Sequence, residues 1–320
     1  MTDSSGQAAV VVCAYSEERW PDLAAAVASV QQQTVAPEEI AVVIDHNRSL
    51  FERAVSGFPG VLVLENYGPR GASGARNSGV AATRAEIIAF IDDDALAFPD
   101  WIEQLLAGFG APDVLGVGGK AEPAWPCGRP SWFPEEFDWV VGSSYAGMPA
   151  VETPVRNLWT VNMAVRREVF DALSGFRTNF GKVGMRSSPE DTDFCLRALQ
   201  CWPKGKWLYK PNARVRHSVP ASRATWKYFL RRCYYEGCGK AHLARLVGSG
   251  VSLSAERKHA FLTLPRGMLR GLGQSVRTRE VAGIGRAGAI AAGLALASTG
   301  YLAGSLFPRV LERPATRRFA

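Results

Sequence analysis

The chain has 320 residues, 47% of them hydrophobic and 21% charged, which suits one large α/β domain with an appendage or two ordinary domains and excludes a disordered chain except at the extreme ends. The formal net charge of +7 is unevenly placed. From Arg214 onward the only carboxylate side chains are Glu236, Glu256, Glu280 and Glu312, so that part expects an anionic surface or substrate.

The six cysteines form no C-x-x-C pair and no metal-ligand spacing with the four histidines, which points to free thiols in a reducing compartment. Residues 1–6 lack a basic segment, and the apolar run that follows is too short for a secretory signal, so the expectation is a cytoplasmic catalytic part. Residues 8–14, Ala-Ala-Val-Val-Val-Cys-Ala, read as a buried parallel strand whose carboxyl end opens into the polar loop Tyr15 to Arg19. Leu23, Val27 and Val30 recur at helical spacing, and Pro37 closes that helix. A second strand over 40–44 ends in Asp45-His46-Asn47, and a third over 61–64 follows another helical stretch. This βαβα alternation predicts a Rossmann-like half.

Between the third and fourth strands, glycines 68, 71, 74 and 79 with Arg70 and Arg76 predict a loop that lays backbone N–H groups and guanidinium forks against phosphates at a helix N-terminus. The fourth strand, Ile87 to Ile91, is continuously apolar and ends in Asp92-Asp93-Asp94. Adjacent carboxylates at the ligand-binding edge of a sheet repel one another unless a cation offsets them. Asp92 and Asp94 project the same way from an extended chain and suit a hard cation, Mn²⁺ or Mg²⁺. The other reading is a solvated turn before the helix at Trp101 to Phe109. Leu115 to Gly119 is a further strand, Pro123 to Pro154 shows no period, and 206–209 is strand-like.

The ordered set Val-Val-Cys-Ala-Tyr-Ser-Glu17, Val-Val-Ile-Asp45, Gly74-Ala-Arg76-Asn77-Ser-Gly79 and Phe90-Ile-Asp92-Asp93-Asp94 resembles the nucleotide-sugar half of the family-2 glycosyltransferases. The resemblance covers roughly the first two-thirds of the chain. It implies a GT-A fold, a Rossmann-like mixed α/β sheet flanked by helices, and a nucleotide-diphosphate sugar, UDP-linked above all, as donor. It places Ala14, Tyr15, Glu17 and Asp45 at the base, Gly71, Arg76 and Asn77 along the ribose and diphosphate, Asp92 and Asp93 near the ribose, and Asp94 on the metal. Asp45 is followed by His46-Asn47 where the family shows acid-Gly-Ser, so its role is the less secure one.

In the family the irregular region shapes the acceptor pocket, where Trp125, Trp132 or Trp139 would stack on sugar rings; a small aromatic subcore explains any one of them equally well. The segment carrying Trp159 and Asn162 resembles the family's strand beside the acceptor. Glu190 and Asp191 fall in the first turn of a helix, where the macrodipole favours acids without any chemistry, yet the family places its general base there. An inverting transfer needs one such carboxylate; Asp191 is the expected base, with Glu190 as its understudy. His217 is expected to complete the metal or diphosphate site, and Arg214 and Arg216 are candidates to face phosphate.

From 222 the character changes, which divides the chain into a catalytic part over 1–220 and a helical, basic and aromatic part over 221–320. Aromatic and basic residues interleave along one long helix to Gly248, Arg257 to Arg279 is again basic with apolar residues between, and 287–308 carries no charge. That pattern predicts attachment to an anionic membrane surface rather than to nucleic acid, for which no motif is present. The 287–308 stretch is weakly apolar, and a span, a shallow hairpin or Gly300-x-x-x-Gly304 helix packing all explain it. The expected whole is a metal-dependent inverting glycosyltransferase at the cytoplasmic face of the membrane, with a lipid-linked or other glycan as acceptor. Its rivals are a nucleotidyltransferase, for which the first loop lacks a phosphate-binding lysine, and a catalytically silent membrane scaffold.

Overall fold

A computed structural model of the chain describes residues 8–183, 186–248 and 253–307. They fall into two compact units. The first holds the chain up to Cys127, Val141–Gly181 and Glu190–Pro220; the second holds Gly128–Val140, Lys182–Pro189 and the chain from Ala221 onward.

The first unit is a mixed sheet between two layers of helices. In chain order its elements are β1 (Ala8–Ala14), α1 (Trp20–Gln31), β2 (Glu39–Ile44), α2 (Arg48–Gly57), β3 (Leu62–Glu65), α3 (Ala72–Ala82), β4 (Ile87–Asp92), β5 (Ala95–Ala97), α4 (Trp101–Leu106), β6 (Val114–Ala124), β7 (Thr153–Val155), β8 (Asn162–Arg166) and α5 (Arg167–Ala172). The chain then leaves this unit for a two-stranded ribbon, β9 (Gly181–Val183) with β10 (Arg186–Ser188), nearly all of which belongs to the second unit, and returns with α6 (Glu190–Cys201) and β11 (Lys206–Ser218). The sheet order is β3-β2-β1-β4-β8-β6-β11-β5, with β7 on the side of β11. The first four strands are parallel, β8 runs antiparallel between β4 and β6, and β5 and β7 pair antiparallel with β11.

The continuous β-branched runs are continuous because both faces are covered. Val10, Val12, Val42, Ile44, Ala89 and Ile91 point into a core closed by α1, α2 and α4. Val11, Val43, Ile88 and Phe90 point into the opposite core, closed by α3, α5 and α6. The glycine-rich stretch expected as loop over 66–79 becomes helix from Ala72. Gly79 explains the helix: a Cβ there would sit 2.5 Å from Val11 Cγ1 and 2.9 Å from Val43 Cγ2, so glycine lets α3 lie directly on the strands. The strands expected over 115–119 and 206–209 are parts of longer ones. β11 continues across a register shift between Lys210 and Arg214, and beyond it Val215 and His217 are buried while Arg216 is exposed.

In the second unit the helices are α7 (Trp226–Val247), α8 (Ser254–Lys258), α9 (Leu264–Thr278) and α10 (Ala282–Leu306), with one π turn, His259–Thr263, joining α8 to α9. Thr225 Oγ1 caps α7 by accepting from the Tyr228 amide at 3.2 Å. α10 packs on α7 backbone to backbone, the Ala297 carbonyl against Gly237 and the Tyr234 carbonyl against Gly300. An aromatic subcore lies here: Trp132 stacks on Trp226 with centroids 4.1 Å apart, and Phe229 meets Trp132, Phe133 and Phe137. All six cysteines are free thiols, Cys195, Cys233 and Cys238 among them buried. Gly79→Ala should overpack the α3 seam and destabilise the chain by about 1–3 kcal/mol, seen as a melting midpoint roughly 3–8 °C lower. An unchanged midpoint would show that α3 can lift off the sheet freely.

Candidate active site

β4 delivers its three acids to the carboxyl edge of the sheet. Asp92 is the last strand residue, level with Cys13 of β1, and the chain then turns through Asp93 and Asp94 into β5. β5 pairs antiparallel with the end of β11, with His217 opposite Ala95, and the Ser218 amide donates to the Asp94 carbonyl at 2.8 Å. This pairing brings His217 Nε2 to 3.1 Å from Asp94 Oδ1. Asp94 and His217 are only 6% and 3% exposed, so their ligand atoms are shielded from water. Ligand atoms of Asp92, Asp94 and His217 lie within 4.8 Å of one another. Two carboxylates and an imidazole converging this closely fit a divalent cation such as Mn²⁺.

His217 is held from behind. Its Nδ1 lies 3.5 Å from Ser143 Oγ, and Gly142 packs under the ring with φ +86°, where an added Cβ would meet Cε1 at 2.9 Å. No other residue type combines that left-handed backbone with that clearance.

Two arginines balance the acids. Arg19, from the turn after β1, pairs with Asp93 at 3.0 Å and also with Asp94. Arg76, buried on α3, bridges Asp92 at 3.0 Å and Glu190 at 2.9 Å. Burial works against the charge of both guanidiniums, yet their carboxylate neighbours outweigh it and hold both pKa values above the ordinary arginine range. Cys13, beside them on β1, is pushed up to about 12 by burial, with Arg76 opposing the shift and Asp92 adding to it. It therefore stays a neutral thiol.

Glu190 and Asp191 stand in the first turn of α6. The helix is anchored by Asp193, fully buried and paired with Arg177 and Arg197 at 2.9 Å each; Arg197 also donates to the Leu173 and Gly175 carbonyls. Asp191 Oδ1 accepts from the Thr192 amide at 2.6 Å. Ser73 Oγ of α3 donates to the Phe180 carbonyl at 3.1 Å, and Asn77 exchanges two hydrogen bonds with the Phe176 backbone. Asn77 is thus a clamp between α3 and the chain after α5.

At the other end of the edge, Tyr15, Asp45, His46, Asn47, Arg48 and Arg70 line a cavity of about 420 Å³. Tyr15 is exposed, Ala14 ends β1 beneath it, and Glu17 lies exposed in the same loop. Asp45 works on the loop itself: Oδ1 accepts from Asn66 Nδ2 at 2.7 Å and lies 2.8 Å from His46 Nδ1, while Oδ2 accepts from the Gly71 amide at 2.9 Å. Asn66 also donates to the Pro69 carbonyl and accepts from the Gly68 amide and Ser78 Oγ. Arg70 reaches the His46 carbonyl.

Asn162 is buried with its amide committed, accepting from Trp101 Nε1 and donating to the Lys120 and Ala213 carbonyls, which makes it a brace across β6, β8 and β11. Trp159 packs against the sheet core and lies near Tyr145, with centroids 5.8 Å apart. Trp139 belongs to the second unit, tilted against Phe137. Arg214 and Arg216 stack over Phe98, at 4.0 and 5.5 Å from its centroid. Sequence reading missed Arg19, whose partners are remote in sequence, and Asn66 and Gly142. The clue to Asn66 was an amide at a strand end followed by glycine and proline, a turn-building context.

The family model described as Glycosyl transferase family 2 matches residues 9–174. The glucosyl-dolichyl phosphate glucuronosyltransferase of Haloferax volcanii is 32% identical over 311 residues, covering 95% of this chain and 98% of its own. The succinoglycan biosynthesis protein ExoM of Rhizobium meliloti is 26% identical over 236 residues, covering 71% of each. Among solved structures, the mannosyltransferase PcManGT from Pyrobaculum calidifontis, in complex with GDP-Man and Mn²⁺, aligns at TM-score 0.58 and 17% identity, covering 95% of this chain and 88% of that one. GalNAc-T7 with UDP, GalNAc and Mn²⁺ aligns at 0.52 and 17% identity, covering 80% and 54%. Both share the mixed α/β architecture described above.

Asn66→Ala should strand Asp45 and the turn around Gly68 without their partner. A melting midpoint roughly 5–10 °C lower is expected, since each orphaned buried group costs about 1–3 kcal/mol. A loss below 1 °C would mean that water replaces the amide.

Proposed function

Since the chain belongs to glycosyl transferase family 2 and is a glycosyltransferase, we propose that it moves a sugar, with inversion, from a nucleotide-diphosphate donor to a hydroxyl of a lipid-linked glycan. The observation that carries this reading is the convergence of Asp92, Asp94 and His217 at the sheet edge that also presents the Arg76-bridged Glu190 and, next to it, Asp191. Family membership sets aside the nucleotidyltransferase and scaffold alternatives.

Asp92, Asp94 and His217 would hold the divalent cation, which when bound supplies positive charge to the departing diphosphate. Tyr15 and the wall of the 420 Å³ cavity take the base, UDP being the proposed nucleotide. Arg19 stands beside Asp93 and Asp94 on the same edge, so its guanidinium is within the charge field that a diphosphate would enter. Asp191 takes the proton from the acceptor hydroxyl as that oxygen attacks the anomeric carbon. Glu190 is the weaker candidate because Arg76 already neutralises it and ties it to Asp92; its part is to keep α3, β4 and α6 in register.

The acceptor side rests on the Haloferax relative, whose name gives it a dolichyl-phosphate-linked acceptor. We place the work at the cytoplasmic face of a membrane. The Haloferax relative's lipid-linked acceptor supports the membrane, and the second unit that would meet it is apolar enough to do so: its α10 has 25 residues and a mean hydropathy of 1.4.

Asp191→Asn should lower transfer by about 10²–10⁴-fold while leaving UDP and Mn²⁺ binding in calorimetry unchanged. Retained transfer in that variant, with loss in Glu190→Gln, would move the base to Glu190. His217→Ala should weaken Mn²⁺ binding by at least about tenfold, and chelation should stop transfer reversibly. Equal metal affinity in the two proteins would remove His217 from the site.

A further inference from the structure

α9 has three faces rather than two. Leu264, Gly267, Gly271 and Ser275 are buried, with the Gly283 backbone passing directly against Gly271 and the Ile284 amide donating to Ser275 Oγ at 3.0 Å. That face is spent on packing, Gly271 and Ser275 against α10 and Gly267 against the Glu136 side chain. Pro265, Leu269, Leu272 and Val276 share a second stripe at helical spacing, and all four are exposed, Leu269 at 70% and Val276 at 84%. Phe261 in the preceding π turn, at 77%, and Val281 and Ile284 beyond the helix extend this apolar surface. Leu272, Val276, Val281 and Ile284 wall a shallow cavity of about 240 Å³ at the turn into α10, with Arg279 at its rim. On the third face, next to the apolar stripe, stand Arg266, Arg270 and Arg277, all exposed. Among these, Arg270 is paired with Glu136.

A long bare apolar stripe flanked along its length by arginines is the pattern of a helix lying in the interface of a bilayer, apolar side in the acyl region and guanidiniums among the headgroups. We propose that α9, with the π turn before it and the turn after it, docks flat on an anionic phospholipid bilayer, and that α10 packs within the protein instead of crossing the membrane. Resting on the membrane-surface reading above, this says which element makes the contact and in what pose.

Charge selects the occupant. The face carries Arg266, Arg277 and Arg279 against the single acid Glu280, so two copies meeting face to face would set like charges together, whereas anionic headgroups complement them. α10 is otherwise engaged: Gly237, Gly300 and Gly304 bring it against α7, and Arg286, within its first turns, donates to the Ser131 carbonyl and to Gln274.

The test is flotation of the full chain with phosphatidylcholine vesicles containing or lacking phosphatidylglycerol. The intact protein should float with the anionic vesicles and be released by salt. Leu269→Asp with Val276→Asp should weaken binding by more than about tenfold, while circular dichroism and donor hydrolysis stay as in the parent. Replacing Arg266, Arg277 and Arg279 with Gln should cost about fivefold for each charge on anionic vesicles and little on neutral ones. Leu294→Asp with Leu302→Asp, on the exposed side of α10, should change little. If the α10 pair abolishes flotation and the α9 pair does not, the docking element is wrong although the membrane reading stands. If the parent floats with no vesicle, both fail. If light scattering shows a dimer that the α9 pair dissolves while flotation persists, a second copy covers the stripe and the proposal is overturned.

Discussion

Asp92, Asp93, Asp94 and Glu190 meet at one edge of a sheet whose interior is dry, and such a group stays folded only if cations are placed among them. Arg76 does this between Asp92 and Glu190, Arg19 between Asp93 and Asp94, and His217 faces the remaining oxygen of Asp94. Each of these partners comes from a different element: the turn after β1, α3 and β11. The charge balance is therefore also the tertiary structure of the site. α3 must lie close on the sheet for Arg76 to arrive, which is why Gly79 faces Val11 and Val43, and the end of β11 must lie between β6 and β5, paired with both.

How much of this was legible in the sequence follows from the range of the interactions. β1, β2 and β4 were readable because a strand covered on both sides writes itself as an unbroken apolar run, and the acids after β4 had nowhere to go but the carboxyl edge. The start of α3 was hidden because the glycines that let it approach the sheet are the residues that otherwise signal loops. Arg19 carried no mark at all: it is one exposed-looking arginine in a polar loop, and its partners come from the far end of β4. Asn162 was named from the family's acceptor-side strand, and the sequence could not show that its amide satisfies Trp101 and two backbone carbonyls inside the sheet. Glu190 and Asp191 are adjacent in sequence and alike in chemistry, and what the sequence could not show is the Arg76 guanidinium, carried from α3, that ties Glu190 to Asp92.

The second unit shows how composition alone blurs two kinds of helix. α9 and α10 are both rich in glycine and aliphatic residues, yet α9 divides its circumference among packing, apolar exposure and charge, while α10 uses Gly283 for close contact with α9, Gly293 with Phe137, and Gly300 and Gly304 with α7. Hydropathy averages over those directions and singles out α10. Direction around the helix axis carries the distinction.

The register shift in β11 governs the strand beyond it. Side chains on a strand alternate, so the irregular stretch between Lys210 and Arg214 sets the parity of everything after it. With the present count, Val215 and His217 turn inward and Arg216 outward. A bulge of that size ordinarily tolerates gain or loss of a residue, but here a single insertion would put Arg216 in the imidazole's place, and a single deletion would move the imidazole to Arg216's exposed place. Length in this short segment is therefore as constrained as identity is at the acids, and natural or engineered indels should be found elsewhere along the strand's neighbours.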